Sequence, residues 1–160
     1  MKKVLYLHGL ESSNVCDKVD FLREHMNVLA PSIDYRKSNI EEELMYMVES
    51  FQPDLIIGSS MGGYVGMMLA NRYNIDCILF NPAIHSRPME PNLKSLIYDD
   101  PKYGFKSVVV LGLKDDVIDP AKTEDILEQV EFDCDIERIE EMGHRVLFDV
   151  FVNIYNKYVK

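Results

Sequence analysis

The stretch Leu55-Ile56-Ile57-Gly58-Ser59-Ser60-Met61-Gly62-Gly63-Tyr64 carries the reading of the whole chain. Its apolar, β-branched start predicts a buried strand, and residues 62–73, rich in small side chains and Met, predict a helix. Between them lies a G-x-S-x-G turn. Glycines on either side of such a turn let strand and helix approach closely, while the serine is held in a strained backbone conformation. Its hydroxyl then projects from the carboxyl edge of a sheet, where α/β proteins place their ligands. The following helix aims its unpaired N–H groups at the same spot and favours developing negative charge. Two other glycine-rich turns are excluded. A phosphate-binding loop needs a lysine that residues 58–66 lack, and no G-x-G-x-x-G follows the first strand.

Outward from this turn, β-rich runs alternate with helical patterns in both directions. Upstream, Val4-Leu5-Tyr6-Leu7 and Val28-Leu29-Ala30 predict strands, and Val15, Val19 and Leu22 repeat at helical spacing between them. Ser38-Asn39-Ile40-Glu41 reads as a capping box, opening a helix with Ile40, Leu44, Val48 and Phe51 on one face. Downstream, residues 75–80, 106–111 and 135–139 predict three more strands. Asp119-Pro120 starts one helix, and residues 145–158 form the last. This alternation predicts a three-layer α/β domain spanning residues 1–160, with a mostly parallel six-stranded sheet covered on both faces. One segment interrupts it. Residues 81–105 contain Pro82, Pro88, Pro91 and Pro101, with a weak helical signal at residues 93–97, and so long a loop is a candidate lid.

Composition narrows the function. The chain has 160 residues, 17 Lys plus Arg against 27 Asp plus Glu, and a net charge of −10. Such an acidic protein is a poor partner for phosphate backbones, so nucleic-acid binding is not expected. Val4-Leu5-Tyr6-Leu7 ends at His8, short of a secretory core, and no apolar run approaches the roughly 20 residues of a membrane span. Cys16, Cys77 and Cys134 lack paired spacing, which points to reduced thiols and a cytoplasmic setting. Cys77, in a strand pattern, reads as a small buried hydrophobe.

A serine hydroxyl is a weak nucleophile until a base takes its proton and a third group orients that base. In this architecture acid and histidine follow the serine in chain order, each after a later strand. Asp115 sits at the turn ending the fifth strand and His144 on the loop after the sixth. Asp115 is favoured over Asp116; Asp116 and Asp119 suit turn and cap roles. The N–H groups of Met61 and Leu10 are the candidate oxyanion donors. Candidate substrate contacts are His8, Gly9, Tyr64 and His85. For His8 a role bracing its turn is preferred, Tyr64 either lines the pocket or packs, and for His85 a solvent-facing position is preferred. His25, at a helix end, reads as a surface residue. Asp115, Asp116, Glu140, Glu141 and His144 lack recognisable ligand spacing, so no metal or other cofactor is expected.

Tyr6-Leu7-His8-Gly9-Leu10-Glu11-Ser12-Ser13 with Lys18 resembles the opening of the small bacterial α/β-hydrolases of the YqiA type. Gly58-Ser59-Ser60-Met61-Gly62-Gly63-Tyr64 resembles their nucleophile elbow, and Asn81-Pro82-Ala83 the segment after the next strand. The resemblance covers nearly the whole chain. It implies a compact α/β-hydrolase fold without the first two strands of larger relatives. It also implies esterase or thioesterase activity on small acyl substrates, with Ser60, Asp115 and His144 at the triad positions. Arg145-Val146-Leu147-Phe148 departs from the polar residue and aromatic the family often has after its histidine. Simple carboxylic esters rank above acyl thioesters, because the acidic surface slows capture of anionic thioesters. The rival expectation is a module that kept the fold for protein binding without turnover.

Overall fold

The structure, a computed structural model, describes residues 1–96 and 102–160. Its elements in chain order are β1 (Lys3–Leu7), α1 (Asp17–His25), β2 (Asn27–Leu29), α2 (Ile40–Phe51), β3 (Leu55–Ser59), α3 (Met61–Tyr73), β4 (Asp76–Phe80), β5 (Ser107–Gly112), α4 (Pro120–Gln129), β6 (Asp135–Ile139) and α5 (Phe148–Tyr158). The strands form one sheet in the order β2-β1-β3-β4-β5-β6, and every pairing is parallel.

Crossover handedness dictates the layers. From β1 the chain steps to β2 in one direction, and every later step runs the other way. Right-handed connections in opposite directions put their helices on opposite faces. Accordingly α2, α3 and α4 cover one face through Ile40, Leu44, Val65, Leu69 and Leu127. The other face carries α1 and α5 through Val19, Leu22, Phe151, Ile154 and Tyr155. Period-two alternation sorts β1 between them, with Leu5 and Leu7 on the first face and Val4 and Tyr6 on the second. The direction reverses between β1 and β3, which opens a crevice above their carboxyl ends.

Four local expectations are corrected. Val15 is 79% exposed and precedes α1, which begins only at Asp17. Helix α5 begins at Phe148, because Val146 turns into the core and Leu147 stays extended at φ −72°, ψ 141°. Helix α2 opens where expected but without a capping box: Asn39 is its N-cap and makes no side-chain cap bond. The Glu41 carboxylate instead accepts bonds from Ser95 N (2.7 Å), Ser95 Oγ (2.6 Å) and Leu96 N (3.2 Å). Fourth, no helix forms at residues 93–96. Leu93 and Leu96 are buried against the α2–α3 side of the core, so this segment is fastened down at Glu41. Ile97 and Pro101 of the same segment lie outside the described residues.

Candidate active site

Five strand ends meet at the carboxyl edge of the sheet and supply the site. At the centre, Ser60 caps α3 with φ 54°, ψ −115°, a conformation that costs a non-glycine residue roughly 1–3 kcal/mol. The surroundings hold it there. Its N–H donates to Phe80 O (3.0 Å), and its carbonyl accepts from Tyr64 N (3.0 Å) and Ala83 N (2.9 Å). The flanking glycines are sterically required. A Cβ on Gly58 would lie 2.2 Å from Gly62 O, and one on Gly62 would lie 2.1 Å from Leu7 O. Only bare backbone lets α3 start this close to β1.

The structure brings Ser60, His144 and Asp115 into one hydrogen-bonded row. A carboxylate only accepts, so His144 Nδ1 carries the proton and donates to Asp115 Oδ2 at 2.8 Å. His144 Nε2 is then the acceptor for the Ser60 hydroxyl at 3.1 Å. Asp115 is buried, and its other oxygen accepts from Val117 N and Ile118 N, both at 2.9 Å. That turn fixes the carboxylate's direction. Asp116 is exposed, and Asp119 caps α4 through Ala121 N at 2.9 Å.

Asn81, left without a role by the sequence, is the hinge pin of this row. It follows β4 with φ 42° and is 2% exposed. Its amide Nδ2 donates to Gly143 O (3.0 Å) and His144 O (2.9 Å), while Oδ1 accepts from Gly112 N (2.8 Å). One side chain thus ties the histidine loop to the end of β5. No local spacing reveals a contact between residues this far apart; the signal was an Asn directly after a strand, where a left-handed residue is tolerated.

A cavity of about 510 Å³ opens beside Ser60, walled by Leu10, Met61, Phe80, Val146 and Phe151 among others. Met61 is the first residue of α3, so its N–H has no acceptor within the helix. Leu10 follows Gly9, whose hypothetical Cβ would lie 3.4 Å from Ser60 Cβ, so this loop runs beside the serine. The neighbouring Glu11 is turned to solvent and paired with Arg36 at 3.1 Å, which offsets its charge.

Of the other expected contacts, Gly9 lines the cavity, whereas His8, Tyr64 and His85 do not. His8 is buried; its Nδ1 donates to Gly9 O at 2.6 Å and its Nε2 accepts from Ile33 N at 2.9 Å. Both nitrogens therefore brace the turn. Tyr64 packs under the Arg87 guanidinium, 4.0 Å from its ring centroid. His85 is not solvent-facing but 8% exposed, with Nε2 donating to Asp119 O at 3.1 Å beside Thr123 Oγ1. Asp119 O already accepts from Thr123 N at 3.0 Å, so the imidazole adds a bond that ties residue 85 to the start of α4. Burial pushes the Cys77 and Cys134 thiols up to about 12, and all three cysteines are free. Among the described residues no cluster of His, Cys, Asp and Glu is arranged to hold a metal, and no helix is long and apolar enough to cross a membrane.

The model of the uncharacterised protein family UPF0227 matches residues 3–108. The chain belongs to that family. This is the YqiA-type grouping that the motifs resemble. Solved structures of the same fold include mouse alpha/beta hydrolase domain-containing protein 10, with TM-score 0.73, 12% identity, and 97% of this chain matched to 87% of that one. The monoacylglycerol lipase of Paleococcus ferrophilus superposes with TM-score 0.75 at 12% identity, over 97% of this chain and 93% of the lipase. The Bacillus cereus carboxylesterase gives 0.67 at 16%, over 98% and 87%. Identities this low establish the α/β-hydrolase fold alone.

Proposed function

We propose that this UPF0227 chain is a serine hydrolase that cleaves small carboxylic esters. The observation that carries the reading is the row Ser60 Oγ, His144 Nε2 at 3.1 Å, and His144 Nδ1 to Asp115 at 2.8 Å. Ser60 Oγ attacks the ester carbonyl carbon as its proton passes to His144 Nε2. The Asp115 carboxylate holds the resulting imidazolium in place. The carbonyl oxygen, now anionic, is received by the N–H groups of Met61 and Leu10, each worth roughly 3–4 kcal/mol at the transition state. Collapse expels the alcohol, which takes the proton from His144. Water, deprotonated in turn by His144, attacks the acyl-serine; the acid leaves and Ser60 regains its proton.

Thioesters of the same acyl groups are chemically compatible and rank second, since a net charge of −10 opposes capture of polyanionic leaving groups. A protein-binding role without turnover has less support, because it leaves the strained Ser60 and the buried Asp115 without a purpose.

The test is p-nitrophenyl acetate hydrolysis by Ser60→Ala. The variant folds, because only a hydroxyl is lost, and turnover falls by roughly 10⁴-fold or more. Turnover equal to the parent protein's removes Ser60 from the mechanism.

A further inference from the structure

One wall of the cavity beside Ser60 is not used by the chemistry above. It is built by β1 and the start of α1 from Tyr6, Cys16, Asp17 and Lys18. Tyr6 is 5% exposed, and the partner recorded for its hydroxyl is the Cys16 thiol at 3.9 Å. At that distance from a sulfur the contact is weak whichever group donates, so among the described residues the phenol has no strong hydrogen-bond partner. Burial, reinforced by Cys16 and Asp17, pushes the phenol above its ordinary value and keeps it a donor. A buried phenol held by nothing stronger than a thiol, on the wall of an open cavity, has capacity for a further acceptor. Lys18 stands in the same wall with its side chain only 14% exposed, its ammonium 3.1 Å from Asp17 Oδ1. That bond uses one of three donors. The same Oδ1 also accepts from Lys18 N at 2.9 Å, while the Asp17 side chain is 55% exposed, where solvent screens its charge.

We infer that the substrate carries, apart from its scissile ester, a carboxylate received by the Tyr6 hydroxyl and the Lys18 ammonium. The inference rests on Ser60 being the nucleophile. A carboxylate fits better than a neutral hydroxyl, because Tyr6 and Lys18 both donate and the Lys18 ammonium, though paired with Asp17, has two further N–H groups beyond that bond. The protein's net charge of −10 opposes anions at long range. Salt screens that repulsion beyond roughly 8 Å, whereas the bonds at this wall act at contact.

The experiment compares two ester pairs matched in length: p-nitrophenyl hemiglutarate with p-nitrophenyl valerate, and acetoxybutyrate with butyl acetate. These place the anion on the acyl or the alcohol side. In at least one pair the anionic ester has the higher kcat/KM, by roughly tenfold or more. Lys18→Met abolishes that ratio and Tyr6→Phe lowers it several-fold; neither adds bulk, and both keep the unbranched stem or the ring that packs. Neutral esters turned over with no preference for either anion, or a preference that survives both substitutions, overturns the carboxylate site and leaves Ser60 untouched. A second readout is calorimetric binding of monomethyl glutarate to Ser60→Ala. Loss of that binding in Ser60→Ala/Lys18→Met supports the site even if no ester is hydrolysed, in which case it is the nucleophile assignment that falls.

Discussion

Asn81 is the residue that holds the geometry of the row without belonging to it. Its three amide bonds hold the backbone of the histidine loop against the end of β5. In Asn81→Ala the Gly112 N–H and the Gly143 carbonyl lose their partner inside the protein. The expected cost is about 2–4 kcal/mol, measured by urea unfolding. A structural role alone would stop there. As a positioning residue, Asn81 also sets where the imidazole sits, so kcat for p-nitrophenyl acetate falls at least tenfold while KM changes less than threefold. An unchanged kcat in the folded variant contradicts that role. At this scale Ser60, Asp115 and His144 were legible, because each stands where chain order and strand ends put it. Asn81 was not, because its bonds reach across 62 and 63 residues of sequence. Nor was the burial of His85, which depends on a carbonyl and a threonine 34 and 38 residues away. Tyr6 left a trace. A phenol in a strand buried on both faces needs somewhere to put its hydroxyl.

Among the elements, the attachment of the proline-rich segment to α2 is open to titration. Burial raises the Glu41 carboxyl, but bonds from Ser95 Oγ, Ser95 N and Leu96 N, with Lys94 nearby, outweigh it and leave the group below its ordinary range. A carboxyl depressed in the folded state adds stability that is complete above its unfolded value. That stability is lost as pH falls through the folded one. Glu41→Gln is therefore expected to be less stable than the parent by about 1 kcal/mol at pH 7, given the group's partial exposure. The gap closes as pH is lowered below the ordinary carboxylate range. Urea midpoints of both proteins across that range test it; a gap constant with pH would mean the carboxylate charge plays no part. The same residue explains a misreading. Ser38-Asn39-Ile40-Glu41 has the composition of a capping box, but Ser95 and Leu96 offer Glu41 three donors that the local helix cannot match. Tertiary bonds overrode a local motif there. Where no such competitor exists, as at Asp119-Pro120, the expected cap formed.

For the molecule as a whole, topology places the candidate site. Continuous apolar runs required strands buried on both faces, and the helices between them required parallel pairing, so the six-stranded sheet was legible from periodicity. Strand order was not, because it depends on which way each crossover steps. The one reversal, between β1 and β3, sets the Gly9-Leu10 loop beside Ser60, and β4, β5 and β6 then deliver Asn81, Asp115 and His144 along the same edge. A chain of 160 residues thus assembles a cavity of about 510 Å³ at this edge, from loops together with strand and helix residues such as Tyr6, Phe80 and Phe151. The most direct measurement of the central claim is labelling of the folded protein with a fluorophosphonate, followed by intact mass and peptide mapping. The account predicts one adduct, on Ser60, formed at least roughly a hundredfold more slowly in His144→Gln, where no base takes the proton. No adduct on Ser60, or equal rates with and without His144, would contradict it.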